Sequence, residues 1–376
     1  MVEFSKFRPI TLILPSLFSE LKGPALPNII KEISKVKYIN HIVIGLDKAN
    51  EKEFHEAKKF FSELPQKHEI LWNDGPNLKS LDTMLAKQNL APQELGKGRN
   101  VWYCMGYILS VGKAEAVALH DCDIITYSRS LLARLVYPVA NPKFNFDFCK
   151  GYYPRVSENK VKGRVARLLV TPLLRALEKT IGFNEFISFV DSFRYPLAGE
   201  FSFRRRVLKD IRIPYDWGLE IGVLSEMFRN YAGNRLCQVD IADNYDHKHQ
   251  DIFFDDNSKG LSKMSVDIIK VIIRKLASQG EPFSMSIFRS LKATYYREAL
   301  DFVQIYKKDA LMNAYDIDVH EEETAVELFA KNIMVAGQVF LDSPMESPNI
   351  PTWSRVDTAL PGFLYDLRKA VELDNK

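Results

Sequence analysis

Apolar and polar positions fall into two kinds of segment along the first third of the chain. Short apolar runs at 10–14, 41–46 and 68–72 read as strands, while 26–36, 52–64 and 101–111 carry apolar residues at helical spacing. A fourth short run, 116–120, leads directly into Asp121-Cys122-Asp123. Strands alternating with helices predict parallel crossovers in an open α/β sheet. Ligands of such sheets sit beyond the carboxyl ends of the strands. Pro15, Asp47 and Asp121 each fall at a predicted strand end, so the pattern gathers them in one cleft.

The middle of the chain is less regular. It has strand-like runs at 146–153 and 236–241, a helix at 165–179, and glycine-punctuated segments at 196–202 and 214–222. From 258 the spacing turns helical, at 264–276, 287–311 and 324–340. Pro344, Pro348 and Pro351 then break the chain before a last helix at 364–373. The chain therefore divides into an α/β half (1–143), a second half (144–257) and a helical extension (258–376). The extension carries no chemical motif; it covers the core or forms a homodimer contact.

Composition narrows the classes. The chain has 376 residues, 46% hydrophobic and 26% charged, with a formal charge of +3. That near balance supplies no broad field for nucleic acid or a membrane surface. Lys6 and Arg8 precede an apolar run too short for a secretory signal, and no stretch approaches the apolar length that spans a bilayer. Four scattered cysteines, Cys104, Cys122, Cys149 and Cys237, lack metal-type spacing and fit reduced thiols in the cytoplasm.

Chemistry concentrates in a few motifs. Asp121 and Asp123, two apart after a buried strand, can turn toward one hard cation, magnesium or manganese, that would bridge a diphosphate; the bland alternative is a turn pair. Gly96-Lys97-Gly98 pairs a point charge for phosphate with glycines that let backbone approach a ligand, but lacks P-loop spacing. Lys162-Gly163-Arg164-Val165 opens a helix and offers an anion site. Gly199-Glu200 and Gly218-Leu219-Glu220 each set a carboxylate after glycine, suited to sugar hydroxyls or to pairing with Arg204-Arg205-Arg206. Tyr152, Tyr153 and Trp217 line a sugar pocket or pack in the core. His247 and His249 lie in a polar segment after the last strand-like run.

Taken in order, these segments resemble the retaining glucosyl-3-phosphoglycerate synthases, nucleotide-sugar glycosyltransferases of the GT-A fold. The likeness runs from about residue 11 to 250. It rests on Lys162-Gly163-Arg164-Val165 with Thr171-Pro172-Leu173-Leu174, Pro196-Leu197-Ala198-Gly199-Glu200, Gly218-Leu219-Glu220-Ile221-Gly222, Gln238-Val239-Asp240 and His247-Lys248-His249-Gln250. The resemblance implies a mixed, Rossmann-like sheet flanked by helices. It implies donor contacts from Pro15, Ser16, Leu17, Glu20, Asp47, Lys97, Asp121 and Cys122, and a Mg2+ or Mn2+ ion held by Asp123 and His247. It implies acceptor contacts from Gly163, Arg164 and His249, sugar contacts from Gly199, Glu200 and Glu220, and catalysis by Asp123, Glu220 and Lys97. The partners implied are a nucleotide-sugar and a small anionic acceptor such as 3-phosphoglycerate. Ala166 and Asp47-Lys48-Ala49 depart from the family pattern, which leaves open a relative using free glycerate, with glucose or mannose, or an inactive nucleotide-sugar binder.

Overall fold

The computed structural model describes residues 1–246, 260–346 and 348–376. The described residues form nine strands, in chain order β1 (Ile10–Leu17), β2 (Ile39–Asp47), β3 (His68–Trp72), β4 (Ala116–Leu119), β5 (Phe148–Tyr152), β6 (Val156–Ser157), β7 (Lys160–Val161), β8 (Phe201–Arg204) and β9 (Leu236–Asp240). Strands β6 and β7 form a small hairpin of their own. The other seven make one sheet in the order β3-β2-β1-β4-β8-β5-β9. Strands β1 to β4 are parallel, β8 runs antiparallel to both β4 and β5, and β9 is parallel to β5. This is the expected mixed sheet, and both halves of the chain contribute strands to it.

The sheet is covered on both faces, which is why its strands read as unbroken apolar runs. Ile13, Val43, Leu71 and Val117 face one core, shared with the helix Lys97–Val111. Their neighbours Leu12, Leu14, Ile42, Ile44 and Ala118 face the other, shared with the helices Ala25–Ile33, Glu51–Phe61 and Arg129–Ala140. Strand β1 runs on to Leu17 rather than stopping at Pro15. Beyond Ile13 it pairs with β2 alone, because β4 has ended, and a strand flank without a partner tolerates a proline's missing N–H.

The reversed direction of β8 has the largest consequence for function. Leu119 of β4 lies opposite Phe201 of β8. The chain leaving β4 at Asp121 therefore meets the chain entering β8 at Gly199. In the sequence pattern β8 falls within a glycine-punctuated segment, because it is short and has Ser202 inside it. Ser202 is buried, and its hydroxyl donates to the Leu135 carbonyl at 2.8 Å.

The extension is built from the helices Gly260–Ser278, Met285–Met312, Val319–Asp342, Trp353–Ala359 and Phe363–Asp374. Helix Val319–Asp342 is long and apolar enough by composition to cross a bilayer, which corrects the expectation that no stretch approaches that length, but much of its apolar stretch is buried within the fold. Trp353 stacks on Trp102 with ring centroids 3.9 Å apart, and its indole donates to the Trp102 carbonyl at 3.0 Å.

Asp147, just before β5, ties together the ends of three strands. Its carboxylate accepts two bonds from Arg206 (2.7 and 2.9 Å) and one from Arg235 (2.9 Å), and its backbone bonds with Arg204 and Arg235. Burial alone would raise this carboxyl, but the two guanidiniums hold it below the ordinary aspartate value. Its contribution to stability is therefore complete above the unfolded-state value of about 3.9 and is lost as pH falls through the lower folded value. Asp147→Asn should cost about 3 kcal/mol at neutral pH, measured by urea unfolding. The deficit relative to wild type should shrink in acid; a deficit equal at every pH would contradict this account.

Candidate active site

The exit of β4 is held from behind by a buried imidazole. Burial pushes His120 down to about 4, so the ring is neutral. Its Nδ1 lies 3.0 Å from the Asp121 carbonyl, which can only accept, and its Nε2 lies 3.1 Å from the Tyr127 hydroxyl. The ring therefore donates forward to the Asp121 backbone and accepts from Tyr127, fixing the turn that carries Asp121 and Asp123. A histidine ending an apolar run carries no signal of its own, so the sequence pattern does not mark His120.

Around this turn the structure gathers side chains from four distant segments. Lys97 Nζ lies 2.6 Å from Asp121 Oδ1 and 3.0 Å from Glu220 Oε1. Burial opposes the charge on Lys97, but Asp121 and Glu220 outweigh it and hold the ammonium well above the ordinary lysine range. Glu200 is fully buried and accepts from the Tyr245 hydroxyl at 2.5 Å; burial and then the Asp121 charge push its carboxyl up to about 7. Asp123 is likewise pushed up to about 7, by burial and then by Asp121. Lys97 and Glu220 stand in the first turns of helices Lys97–Val111 and Leu219–Asn230, so two positive helix ends face the same place.

Lys150 joins this cluster without any warning from the sequence. It sits on β5, is 1% exposed, and donates from Nζ to the Ala198 carbonyl at 2.6 Å. Burial brings it down to about 8 despite the nearby Glu220 and Glu200. It thereby holds the backbone directly before Gly199.

The glycines separate into two kinds. A Cβ at Gly199 would overlap the Asp121 carboxylate, so this glycine serves the cluster itself. A Cβ at Gly96 or Gly98 would instead run into the backbone of Tyr215 and Pro214, one at Gly218 into Val271, and one at Gly222 into Pro214. Those four admit neighbouring protein segments, which corrects the expectation that Gly96, Gly98 and Gly218 admit a ligand. Arg204, Arg205 and Arg206 pair with Glu115 and Asp147 rather than with either glutamate of the cluster.

Other expected residues lie along the same edge. Pro15, Ser16 and Leu17 close β1, Glu20 follows in a short helical turn, and Asp47 ends β2. Asp47 accepts from Asn73 (2.8 Å) and Asn100 (3.0 Å), two further residues the motifs did not flag. The Cys122 side chain is buried in the apolar core and its thiol is pushed up by that burial, so its backbone alone is left for a donor contact. Tyr153 stacks on Tyr245 at 3.5 Å, a packing role, while Trp217 is partly exposed. Gly163 has φ of 76°, which favours glycine. A Cβ there would press on Arg155 and the Tyr195 hydroxyl, and Arg155 in turn lies over Tyr245.

His247 and His249 lie outside the described residues. The segment just before them is pinned beside the Asp121–Asp123 turn: Ile125 N donates to the Asp246 carbonyl at 2.8 Å, and Asp246 N donates to Thr126 at 2.9 Å. Among the described residues no three His, Cys, Asp or Glu side chains form a metal cage. The carboxylates of Asp121 and Asp123, two apart on one turn, supply the hard oxygens that fit a partly hydrated divalent cation.

No family model matches the chain. A glucosyl-3-phosphoglycerate synthase from Persephonella marina is 45% identical over 372 residues, covering 99% of this chain and 92% of that protein. The chain belongs to the glucosyl-3-phosphoglycerate synthase family. A second family member, from Methanococcoides burtonii, is 35% identical over 373 residues, covering 98% of this chain and 91% of the relative. The fold is shared with the Mycobacterium tuberculosis glucosyl-3-phosphoglycerate synthase solved with Mn2+, uridine diphosphate and glucosyl-3-phosphoglycerate. That similarity has a TM-score of 0.52 at 20% identity, over 75% of this chain and 84% of that one. Mannosyl-3-phosphoglycerate synthase from Rubrobacter xylanophilus aligns with a TM-score of 0.54 at 20% identity, over 75% and 79%. The full-length matches extend the family likeness through the helical extension, beyond the residue-250 limit drawn from motifs.

Gly199→Ala tests whether this convergence is what the family uses. The added methyl must displace the Asp121 side chain, which can move without unfolding the protein. Glycosyltransferase activity should fall about 10²-fold, the effect of misplacing a catalytic group by roughly an ångström, with little change in melting temperature. Retained activity would show that the Asp121 position is not critical.

Proposed function

We propose that this protein transfers glucose from a nucleoside-diphosphate glucose to 3-phosphoglycerate, with retention at the anomeric carbon and with Mg2+ or Mn2+ as cofactor. The observation that carries the reading is the meeting of Asp121, Lys97, Glu220 and Glu200 around Gly199 at the carboxyl edge of the sheet, in a chain of this family. The division of labour follows the chain: 1–143 for the donor, 144–257 for the acceptor, with 258–376 as the helical extension. A cytoplasmic setting suits free cysteines, three of them buried.

Pro15, Ser16, Leu17, Glu20 and Asp47 line the sheet edge for the nucleoside, Asp47 being oriented by Asn73 and Asn100. Asp123 and His247 would hold the cation, with Asp121 beside them. The ion supplies Lewis-acid neutralisation of the diphosphate as it departs. Lys97 contributes a second, fixed positive charge, and the two helix ends add to it; such preorganised charge accounts for much of the rate in reactions of this kind. As the bond from the anomeric carbon to the diphosphate oxygen breaks, the acceptor hydroxyl oxygen bonds to that carbon from the same face. Its proton passes to a phosphate oxygen of the departing diphosphate. Neither glutamate acts as a nucleophile. Glu200 is fully buried and bonded to Tyr245, and Glu220 is bonded to Lys97, so it orients that lysine and the sugar. Gly163, Arg164 and His249 receive the acceptor's anionic groups.

The test is incubation with Mn2+ or Mg2+ and a panel of nucleotide-glucose and nucleotide-mannose donors, each with 3-phosphoglycerate and separately with free glycerate. The expected result is a glucosylated phosphoglycerate whose anomeric configuration by NMR matches the donor's, with no glycosyl-enzyme mass at any time. Product from free glycerate alone would reassign the acceptor, inverted product or a trapped adduct on Glu220 would overturn the mechanism, and no product from any pair would leave a nucleotide-sugar binder.

A further inference from the structure

The helical extension reaches the loop that carries Arg164. Asp316 N donates to the Asn159 carbonyl at 2.7 Å, at the tip of the β6–β7 hairpin. Just beyond, helix Val319–Asp342 presents Glu321 and Glu322 to the two arginines that follow the hairpin. Glu322 is buried. It accepts from Arg167 Nη1 at 2.7 Å and Nη2 at 3.1 Å, and from Arg164 Nε at 3.2 Å. Arg167 is further fixed by a bond from its Nε to the Lys162 carbonyl (2.8 Å) and by the Tyr306 ring, 4.6 Å away. Glu321 is different: its side chain is 52% exposed, and it meets only the outer nitrogen, Arg164 Nη2, at 2.9 Å.

These two glutamates do unequal work. Arg167 and Glu322 form a closed, buried, fork-to-carboxylate pair, and breaking such a pair is costly. The Arg164–Glu321 contact is an exposed ion pair of the kind that contributes little to stability and exchanges readily. Glu322 aims Arg164 by its Nε, leaving the outer end of the guanidinium to a second anion. In the absence of ligand that anion is Glu321.

We propose that Glu321 is an internal stand-in for the acceptor's anionic group: its carboxylate occupies Arg164 in the empty enzyme and is displaced when a carboxylate or phosphate of the acceptor binds. This rests on Arg164 being an acceptor residue. Displacement keeps the charge balance, because Glu322 remains to match Arg167 and the incoming anion replaces Glu321 on Arg164. It also gives selectivity, since an uncharged hydroxy compound cannot replace the carboxylate without stranding the arginine.

Calorimetric titration of 3-phosphoglycerate into the full chain, in the presence of UDP and Mn2+, tests this without requiring turnover. Glu321→Gln should bind about threefold more tightly than wild type, the scale of an exposed ion pair, and Arg164→Ala at least tenfold more weakly. In the Arg164→Ala background, Glu321→Gln should change nothing. Equal affinity of wild type and Glu321→Gln would overturn the proposal while leaving Arg164 as an acceptor residue. The same gain in both backgrounds would also overturn it, by showing only a diffuse charge effect. An Arg164→Ala protein that melts normally and binds like wild type would remove Arg164 from the acceptor site and the proposal with it.

Discussion

At the edge where β4 leaves the sheet and β8 enters it, four carboxylates among the described residues share two ammonium groups. Asp121, Asp123, Glu200 and Glu220 stand around Lys97 and Lys150, and most of this charge is withdrawn from water. A buried excess of negative charge is unfavourable unless something positive completes it. Burial and then the Asp121 charge push Asp123 and Glu200 up to about 7, while burial brings Lys150 down to about 8 against the opposing pull of Glu220 and Glu200. In the proposed reaction Asp121 and Asp123 would answer the charge of a divalent ion, and Lys97 with the two helix ends that of the phosphates.

That arrangement depends on one reversed strand. With β8 parallel, its entry would fall at the opposite edge, and Gly199 and Glu200 would be a sheet's length from Asp121. Sequence pattern revealed the long apolar strands and most helices because their periodicity follows from burial on two faces. It also marked Asp121, Asp123, Lys97, Glu200 and Glu220, because carboxylates and lysines beside glycine at element ends have few purely structural uses. It could not mark β8, four residues long with a serine at its centre. It could not mark Lys150 or His120 either, since a lysine or histidine in an apolar run looks like a surface position until the sheet is assembled. Helix Arg129–Ala140 was hidden by Pro138 in its last turn.

The glycines show where motif reasoning is incomplete in principle. A glycine reports that a side chain is excluded, and not what excludes it. At Gly199 the excluding group is the Asp121 carboxylate, so motif and chemistry agree. At Gly96, Gly98, Gly218 and Gly222 the excluding groups are Pro214, Tyr215 and Val271. These contacts still serve the site, at one remove. They press the starts of helices Lys97–Val111 and Leu219–Asn230 against a common segment, and this brings Lys97 and Glu220 within 3.0 Å of each other.

The helical extension is part of the same machinery, and the reason lies in a proline. Pro172 has no N–H, so the Leu168 carbonyl loses its usual helical donor four residues on. The chain responds with a wider turn over Val165–Val170, and the Tyr295 hydroxyl, from helix Met285–Met312, donates to that carbonyl at 2.6 Å. The segment that follows Gly163 and Arg164 is thus completed from outside itself. With Glu322 balancing Arg167 a turn away, the segment after Arg164 would carry an unmatched buried charge and lose the Tyr295 bond to its Leu168 carbonyl if the extension were removed. The extension is therefore part of what holds the Gly163–Arg164 segment, a structural reason for the likeness to full-length relatives to continue through it although it contains no motif of its own.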